Sequence, residues 1–262
     1  STGFQTKLVN SGSVENKGLE ATLGATVVKA KDFEWMANFN IAFNRNKLLK
    51  LTDNQLYMLT AQGWGDDWKN IPGYIAKLNE PIAQFYGLIY EGTYKYEDFD
   101  LLGGVYTLKD NVPSNGGSRA NVKPGDVRYT DLDGDLQITE ADKTVIGNPN
   151  PEWQGSFYSK LNVGQFDFNF SVITSQGQTV LSTFHQNFAD VSDRGRQKLA
   201  MDYFIPTNGT GIAANANNTN PRPGPVATGA GAYWTSLFGY YRDASYVKIK
   251  NISLGYTFDS EL

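Results

Sequence analysis

The chain has 262 residues, a formal net charge of −4, one histidine and no cysteine. The lack of cysteine excludes disulfides and thiolate metal sites. The acidic balance without a basic run argues against a nucleic-acid partner and gives no support for binding to an anionic membrane surface. Aromatic residues make up 13% of the chain and glycines number 27, which favours β-structure. No apolar run is long enough to predict a transmembrane helix.

Five segments alternate between apolar and polar residues with a period of two, which predicts β-strands with one apolar face. Their apolar residues are, in chain order, Leu19, Ala21, Leu23, Ala25 and Val27; Phe33, Trp35, Ala37, Phe39, Ile41 and Phe43; Trp153, Gly155, Phe157, Ser159, Leu161 and Val163; Phe166, Phe168, Phe170 and Val172; and Ile252, Leu254, Tyr256 and Phe258. Val247 and Ile249 stand on the opposite parity to the fifth segment, so we expect a β-bulge near Lys250 and Asn251.

The length of these segments bears on the environment of their apolar face. They run for about 9–13 residues, whereas the usual strand of a globular protein has about 5–6. A strand that crosses a bilayer needs about 9–11 residues. A lysine or arginine on a lipid-facing surface at mid-bilayer costs roughly 2–4 kcal/mol, so an uncharged face is expected there. The core face of a soluble β-sandwich would be equally uncharged, so alternation alone does not separate the two folds.

The connections between the segments differ greatly in length. Tight turns are predicted at 31–32 and 164–165, and two long connections run over 52–151 and 177–245. Connections of the second kind are rare in compact domains and are usually functional. Short turns on one side and long loops on the other are the layout of an outer-membrane barrel, whose long loops lie outside the cell. The sequence therefore favours an all-β fold, in which about five long strands belong to a large antiparallel transmembrane β-barrel with two long extracellular loops.

Parts of the second long connection carry local signals. Ser192 is predicted to cap a short helix over 193–203. The stretch 208–232 is rich in Asn, Gly and Pro, which predicts irregular structure.

The stretch DLDGDLQITEAD, 131–142, lies in the first long connection and has the ligand spacing of a calcium loop. The predicted ligands are Asp131, Asp133, Asp135 and Asp142 at positions 1, 3, 5 and 12, with the backbone carbonyl of Gln137 at position 7 and Thr139 placed for a water-mediated contact. Leu136 occupies position 6, where an EF-hand loop has glycine because φ is positive. Two interpretations stay open at this point: a Ca²⁺ site, and an acidic solvated turn.

Four longer motifs occur in order along nearly the whole chain. They are NSGSVENKGLEATLGATVV (10–28) followed by KDFEWMANFNIAFNRNKLLKL (31–51), NEPIAQFYGLIYEGTY (79–94), KPGDVRYTDLDGDLQITEADKTVIGNPNPEW (123–153), and RDASYVKIKNISLGYTF (242–258). Together they resemble the SusC/RagA family of TonB-dependent outer-membrane transporters. The acid-rich stretch matches an aspartate-rich segment of that family, in which members often have glycine where this chain has Leu136.

The resemblance implies a long full-length protein with an N-terminal plug, a barrel of about 22 strands, and a SusD-like surface lipoprotein that covers the barrel as a lid. It also implies import of oligosaccharides or peptides through the outer membrane of Bacteroidota, driven through TonB, which pulls on an N-terminal box. Neither a plug nor a TonB box occurs in this sequence. We therefore expect residues 1–262 to be a C-terminal portion of the barrel that contacts outer-membrane lipid.

Other candidate sites are weaker. His185 has no serine or cysteine constellation around it, and no hydrolase or phosphate-binding motif occurs, so no enzymatic activity is predicted. The aromatic residues of the long connections are Trp64, Trp68, Trp234, Tyr240 and Tyr241. Such rings stack on sugars and peptide side chains, which makes them candidates for ligand or lid contact. The favoured alternative is that they pin the loops.

Two other functions stay open on the sequence. One is a soluble calcium-stabilised β-sandwich that binds carbohydrate, and the other is an extracellular hydrolase.

Overall fold

The structure, a computed structural model, describes residues 12–61, 72–115, 119–182, 204–205, 222 and 241–258. Its strands are β1 (Gly12–Ala30), β2 (Phe33–Leu51), β3 (Tyr57–Ala61), β4 (Pro72–Lys77), β5 (Gln84–Gly87), β6 (Tyr90–Thr93), β7 (Phe99–Leu102), β8 (Val105–Leu108), β9 (Ser114–Asn115), β10 (Val127–Tyr129), β11 (Gln137–Ile138), β12 (Thr144–Gly147), β13 (Trp153–Val163), β14 (Phe166–Gln176), β15 (Thr179–Leu181), β16 (Tyr241–Asp243) and β17 (Tyr246–Tyr256). Short 3-10 helices lie at Thr52–Asn54, Tyr96–Asp98, Arg119–Asn121 and Glu140–Asp142. The described part of the chain is all-β, as predicted.

The five predicted segments form one antiparallel sheet in the order β1-β2-β13-β14-β17. β1 and β2 each have 19 residues and the other three have 11. The two tight turns lie side by side at one end, since the N–H of Gly164 donates to the carbonyl of Asp32 at 2.8 Å. Gly164 has φ +57°, a conformation that glycine adopts without strain. The predicted pairing of long strands by tight turns is confirmed.

The register keeps the apolar residues of all five strands on one face. Phe39 of β2 lies opposite Leu23 of β1 on one side and Phe157 of β13 on the other. Phe157 in turn lies opposite Val172, which pairs with Ile249 of β17. Residues directly opposite each other in a ladder share a face, so this row is apolar across the whole sheet.

Three register shifts adjust this pattern, the first of them between Ser13 and Val14 of β1. The partners of Ser171 and Val172 are Asn251 and Ile249, so Lys250 is the extra residue and the predicted bulge is confirmed. A second register shift lies between Thr26 and Val28 of β1, which places Val28 rather than Val27 opposite Trp35. The alternation of the first segment therefore holds only as far as the residue before Val27, because a bulge exchanges the two faces beyond it.

The apolar face of this sheet is exposed. Leu23 and Leu254 keep 70% and 72% of their surface, and Ile252 keeps 61%. A β-sandwich requires a second sheet stacked on this face, and none is found within the described residues. The same residues contain no helix with the length and apolarity to span a bilayer.

The first long connection is a folded unit rather than an irregular loop. Its strands form the sheets β12-β5-β4-β3 and the pairs β6–β10, β7–β8 and β9–β11. Two clusters of buried residues hold it together: Leu88, Val127, Tyr129 and Ile138 in one, and Tyr94, Phe99, Leu108, Val112 and Val122 in the other. Most of the buried apolar core of the described chain therefore lies in this connection, outside the five-stranded sheet.

The first connection is fastened to the end of β2. The N–H of Leu48 donates to the carbonyl of Glu80 at 3.0 Å, and the N–H of Asn79 donates back to the carbonyl of Leu48 at 2.8 Å. The side chain of Asn46 accepts from the N–H of Ile82 at 2.7 Å. These bonds extend the ladder of β2 into the motif that starts at Asn79, so this unit sits directly on the end of the sheet away from the tight turns.

The second long connection starts and ends in a short ribbon, because β15 pairs with β16. Between these strands the structure describes residues 182, 204, 205 and 222. Ser192, the predicted helix at 193–203 and His185 lie outside the described residues, as does the predicted irregular stretch at 208–232 apart from Arg222.

Candidate functional site

The face of the sheet opposite the apolar one is polar and linked from strand to strand. Asn40 donates to Glu20 at 3.0 Å and to Thr22 at 2.9 Å. Asn162 donates to Glu34, which lies directly opposite it, at 3.1 Å. These bonds hold amide and carboxylate groups along the surface, where they offer donors and acceptors to a polar solute or to water.

The same arrangement continues across β14 and β17. Asn169 donates to Ser253 at 2.6 Å, and Asn251 donates to the carbonyl oxygen of the Asn169 side chain at 3.0 Å. The polar face thus runs from β1 to β17 as the counterpart of the apolar face.

Ser159 is a polar residue on the apolar face of the sheet. Its side chain is buried, and its hydroxyl accepts from the indole N–H of Trp35 at 3.0 Å. A buried hydroxyl without a partner would cost roughly 1–3 kcal/mol, so Trp35 makes serine tolerable there. The bond gives the indole N–H of Trp35 and the hydroxyl oxygen of Ser159 a partner on this face.

The acid-rich loop brings three carboxylates together. Oxygen atoms of Asp131, Asp133 and Asp142 lie within 4.8 Å of one another. Asp142 is fully buried, whereas Asp131 is half-buried and Asp133 is exposed. Three carboxylates at this separation repel each other unless a cation lies between them or one binds a proton.

Backbone N–H groups orient the members of this group. Asp131 accepts from Gly134 at 2.7 Å and from Leu136 at 2.9 Å. Asp142 accepts from Leu132 at 2.8 Å and, in the manner of a capping box, from Thr139 at 2.7 Å. Each carboxylate oxygen keeps a second lone pair that can bind a metal ion.

Leu136 adopts the conformation that an EF-hand loop needs at position 6. Its φ is +65°, in the left-handed region, although a leucine there costs roughly 1–2 kcal/mol relative to an ordinary conformation. The sequence marks this position as unfavourable, and the structure makes the turn in spite of the leucine.

The other predicted ligands are placed differently. Asp135 lies outside the group of three, and its carboxylate accepts from the N–H of Gln137 at 2.7 Å. Gln137 begins β11, which pairs with β9. The hydroxyl of Thr139 accepts from the N–H of Ala141 at 3.1 Å. The structure therefore unites positions 1, 3 and 12 of the loop and leaves position 5 in a local turn.

Asp142 differs from two other buried aspartates in the partner of its second carboxylate oxygen. Asp98, Asp126 and Asp142 each accept with one oxygen from the N–H three residues earlier, at 2.7, 2.8 and 2.7 Å. The second oxygen of Asp98 binds Arg128 at 3.1 Å, and that of Asp126 binds Arg222 at 2.7 Å. Among the described residues Asp142 has no such arginine, and it faces two further acids instead.

The predicted aromatic contacts can be located for one residue only. Tyr241 is half-buried and meets Phe85 edge-on, with 4.9 Å between ring centroids. It also packs against the core cluster that contains Leu88, so in the structure it anchors the second connection to the first. Trp64, Trp68, Trp234 and Tyr240 lie outside the described residues.

Four residues that the sequence analysis did not single out form a second polar and aromatic contact. Arg222 pairs with Asp126, and Phe204 is fully buried against Gly125. The available signals were the sequence KPGD at 123–126, typical of a tight turn, and the prolines on both sides of Arg222. Neither signal indicates which residues come into contact, because the turn at 123–126 is far from Phe204 and Arg222 in the sequence.

Known proteins resemble the chain over nearly its whole length, although no protein-family model matches it. TonB-dependent receptor P3 of Formosa agariphila is 30% identical over 256 residues, which are 97% of this chain and 23% of that protein. TonB-dependent receptor SusC of Bacteroides thetaiotaomicron is 27% identical over 263 residues, 99% of this chain and 22% of that protein.

This chain resembles the SusC/RagA family of TonB-dependent receptors. The predicted resemblance is confirmed. The chain spans about a quarter of the length of these relatives. Both relatives are named as receptors.

A solved structure has a similar fold. The RagAB peptide transporter matches with a TM-score of 0.62 at 18% identity, covering 97% of this chain and 24% of that chain. The five long antiparallel strands therefore have the fold of a RagA-type barrel segment, as predicted.

Proposed function

We propose that this chain forms part of an outer-membrane importer that takes up oligosaccharides or peptides in a TonB-dependent manner. In this proposal the apolar face of the five-stranded sheet contacts lipid, and the polar face lines the passage. The two long connections lie outside the cell and contact a SusD-like lipoprotein lid. TonB acts on a part of the protein that is not in this sequence.

The observation that carries the proposal is the exposed apolar face on strands of membrane-spanning length. The 11 residues of β13 make ten steps of about 3.4 Å, or about 34 Å. At a tilt of about 40–45° this gives about 25 Å along the bilayer normal, the height of the apolar band of an outer-membrane barrel. A soluble protein rarely exposes an apolar patch of this extent.

The polar face supports an uncharged or mixed substrate. Its amides, among them Asn40, Asn162 and Asn169, are held by neighbouring strands and present both donors and acceptors. Such groups bind sugar hydroxyls and peptide backbones alike. The name of the solved structure, the RagAB peptide transporter, favours the peptide class.

We also propose that Asp131, Asp133 and Asp142, with the backbone carbonyl of Gln137, hold Ca²⁺ in the first connection. Calcium prefers oxygen ligands, and a divalent cation would neutralise the one buried capping aspartate that lacks an arginine among the described residues. The ion would then fix the loop against β9 without taking part in transport itself.

The experiment that tests the importer is a deletion strain lacking the full-length gene, grown on a panel of single glycans and peptides as sole carbon or nitrogen source. We expect growth to fail on one class and to return with the intact gene. Membrane fractionation of the native product supplies the control. A product found in the soluble fraction would favour the carbohydrate-binding sandwich and overturn the proposal.

A further inference from the structure

The turn at 123–126 is a rigid part of the first connection. Asp126 accepts from the N–H of Lys123 at 2.8 Å and donates its own N–H to the carbonyl of Lys123 at 3.0 Å. The N–H of Gly125 donates to the carbonyl of Tyr94 at 2.8 Å, and the N–H of Tyr94 donates to the carbonyl of Asp126 at 2.9 Å. Because Tyr94 belongs to a core cluster, the turn is held by the core beneath it.

Phe204 of the second connection packs against this turn. Its side chain is fully buried, and its ring centroid lies 5.8 Å from that of Tyr96. A Cβ atom added at Gly125 would lie 2.2 Å from a ring carbon of Phe204, which is closer than side chains approach. Gly125 also has φ +87°. The position therefore requires glycine for its backbone conformation and for the approach of the phenyl ring.

Arg222 reaches the same turn from a point 18 residues further along the chain. Its Nε donates to Asp126 at 2.7 Å, and its backbone N–H donates to the carbonyl of Gly125 at 2.9 Å. Pro223 restricts the backbone of Arg222 to extended conformations, so less conformational entropy is lost when the arginine is held. Side chain and main chain of Arg222 thus bind one turn together.

The Asp126–Arg222 pair fixes the position of Arg222 more than it stabilises the fold. Asp126 is fully buried, and burial raises its pKa to about 6 although Arg222 lowers it. The loss of hydration therefore outweighs the attraction of the arginine. A buried pair of this kind adds little net stability. If Arg222 were placed elsewhere, however, Asp126 would be a buried charge without a partner, which costs free energy.

We propose that the turn at 123–126 is a socket that fastens the second long connection to the first at Phe204 and Arg222, so that these two points move with the first connection. A displacement of the first connection is then transmitted to Phe204 and Arg222.

Hydrogen exchange in the full-length receptor, purified from outer membranes, tests the socket at a single amide. In the sequence Pro221-Arg222-Pro223 only Arg222 has a backbone N–H, and this N–H donates to Gly125. In the wild type we expect this amide to be protected. In Phe204→Ala and in Gly125→Ala we expect it to exchange about tenfold faster or more, because each change opens the shared contact. The effect of Phe204→Ala is decisive, since Phe204 makes no hydrogen bond to Arg222 through its side chain.

The matched control is Gly104→Ala. Gly104 has φ +82°, and a Cβ atom there would meet nothing within 4 Å, so this variant carries the backbone strain without the clash. Exchange at Arg222 should stay at the wild-type rate. Amides of β13 report whether each variant is folded; if Gly125→Ala is not, Phe204→Ala and Asp126→Asn decide. An Arg222 amide that is unprotected in the wild type, or unchanged in the folded variants, would overturn the socket.

Discussion

The backbone N–H of Leu136 donates to the carboxylate of Asp131 at 2.9 Å, and Leu136 takes φ +65° to make this bond. Position 6 and position 1 of the acid-rich loop are therefore joined as in a calcium loop, although the residue at position 6 is not glycine. The bond is made at the expense of backbone strain, and the strain can be removed by one substitution.

Leu136→Gly is expected to stabilise the loop by several tenths to about 1 kcal/mol. Relief of the left-handed strain is worth about 1–2 kcal/mol, and the greater freedom of glycine in the unfolded chain offsets part of it. The free energy of local opening, measured by hydrogen exchange at 131–142, checks this. Gly134→Ala, at φ +79°, should have the opposite sign. A less stable Leu136→Gly loop would contradict the prediction.

Asp133→Asn should weaken Ca²⁺ binding by about tenfold or more, because one of three converging carboxylates loses its charge. Asp135→Asn, in the same loop but outside the group of three, should change affinity much less. Calorimetric titration of the full-length receptor with Ca²⁺ measures both. Equal losses of Ca²⁺ affinity in the two variants would show that Asp135 is a ligand as well, as the spacing predicts. Identical protease sensitivity of this loop with and without a chelator would argue for a plain turn.

If the apolar face contacts lipid as proposed, Ile252→Lys should destabilise the protein by roughly 2–4 kcal/mol, because Ile252 lies on the apolar face about midway along β17 and is 61% exposed. The adjacent Ser253 lies on the polar face, so Ser253→Lys should cost far less, apart from its bond to Asn169. Unfolding of the receptor in lipid vesicles by denaturant compares the two. Similar stability of the two variants would mean that the apolar face does not meet lipid.

Asp126 should give the first connection a pH dependence opposite to that of most carboxylates. Burial raises its folded-state pKa to about 6 from 3.8, while Arg222 and Lys123 lower it. Because the folded-state pKa is the higher one, protonation favours the fold. The contribution is fully present below about pH 4 and is lost as the pH rises through about 6.

Asp126→Asn does not titrate and isolates this effect. Relative to that variant, the wild type should lose local stability between about pH 4 and pH 6, measured by exchange of the Tyr94 amide, which donates to Asp126. Titration of neighbouring charges changes the local stability of the wild type and of Asp126→Asn alike. A stability difference that does not vary over this interval would show that the pKa of Asp126 is not raised.

Part of the site could be predicted because it depends on neighbours along the chain. The parity change between Ile249 and Ile252 predicted the bulge at Lys250, since a fixed period makes an extra residue visible. The bulge at Val27 left no such mark, because Val27 and Val28 are both apolar and either can take the position on that face. The spacing of the acids likewise predicted a group of ligands but not that Asp135 stands outside it.

By itself the sequence determined the five long strands, their apolar and polar faces and the turns that join them, because side chains alternate along a strand with a period of two and glycine permits a tight turn. Only the tertiary structure decided that the first connection is a folded unit with the core inside it. It also decided that Asp126 meets Arg222, 96 residues away, and that Asp142 meets Asp131 rather than an arginine. Such contacts follow from how distant segments pack, and no local period carries that information.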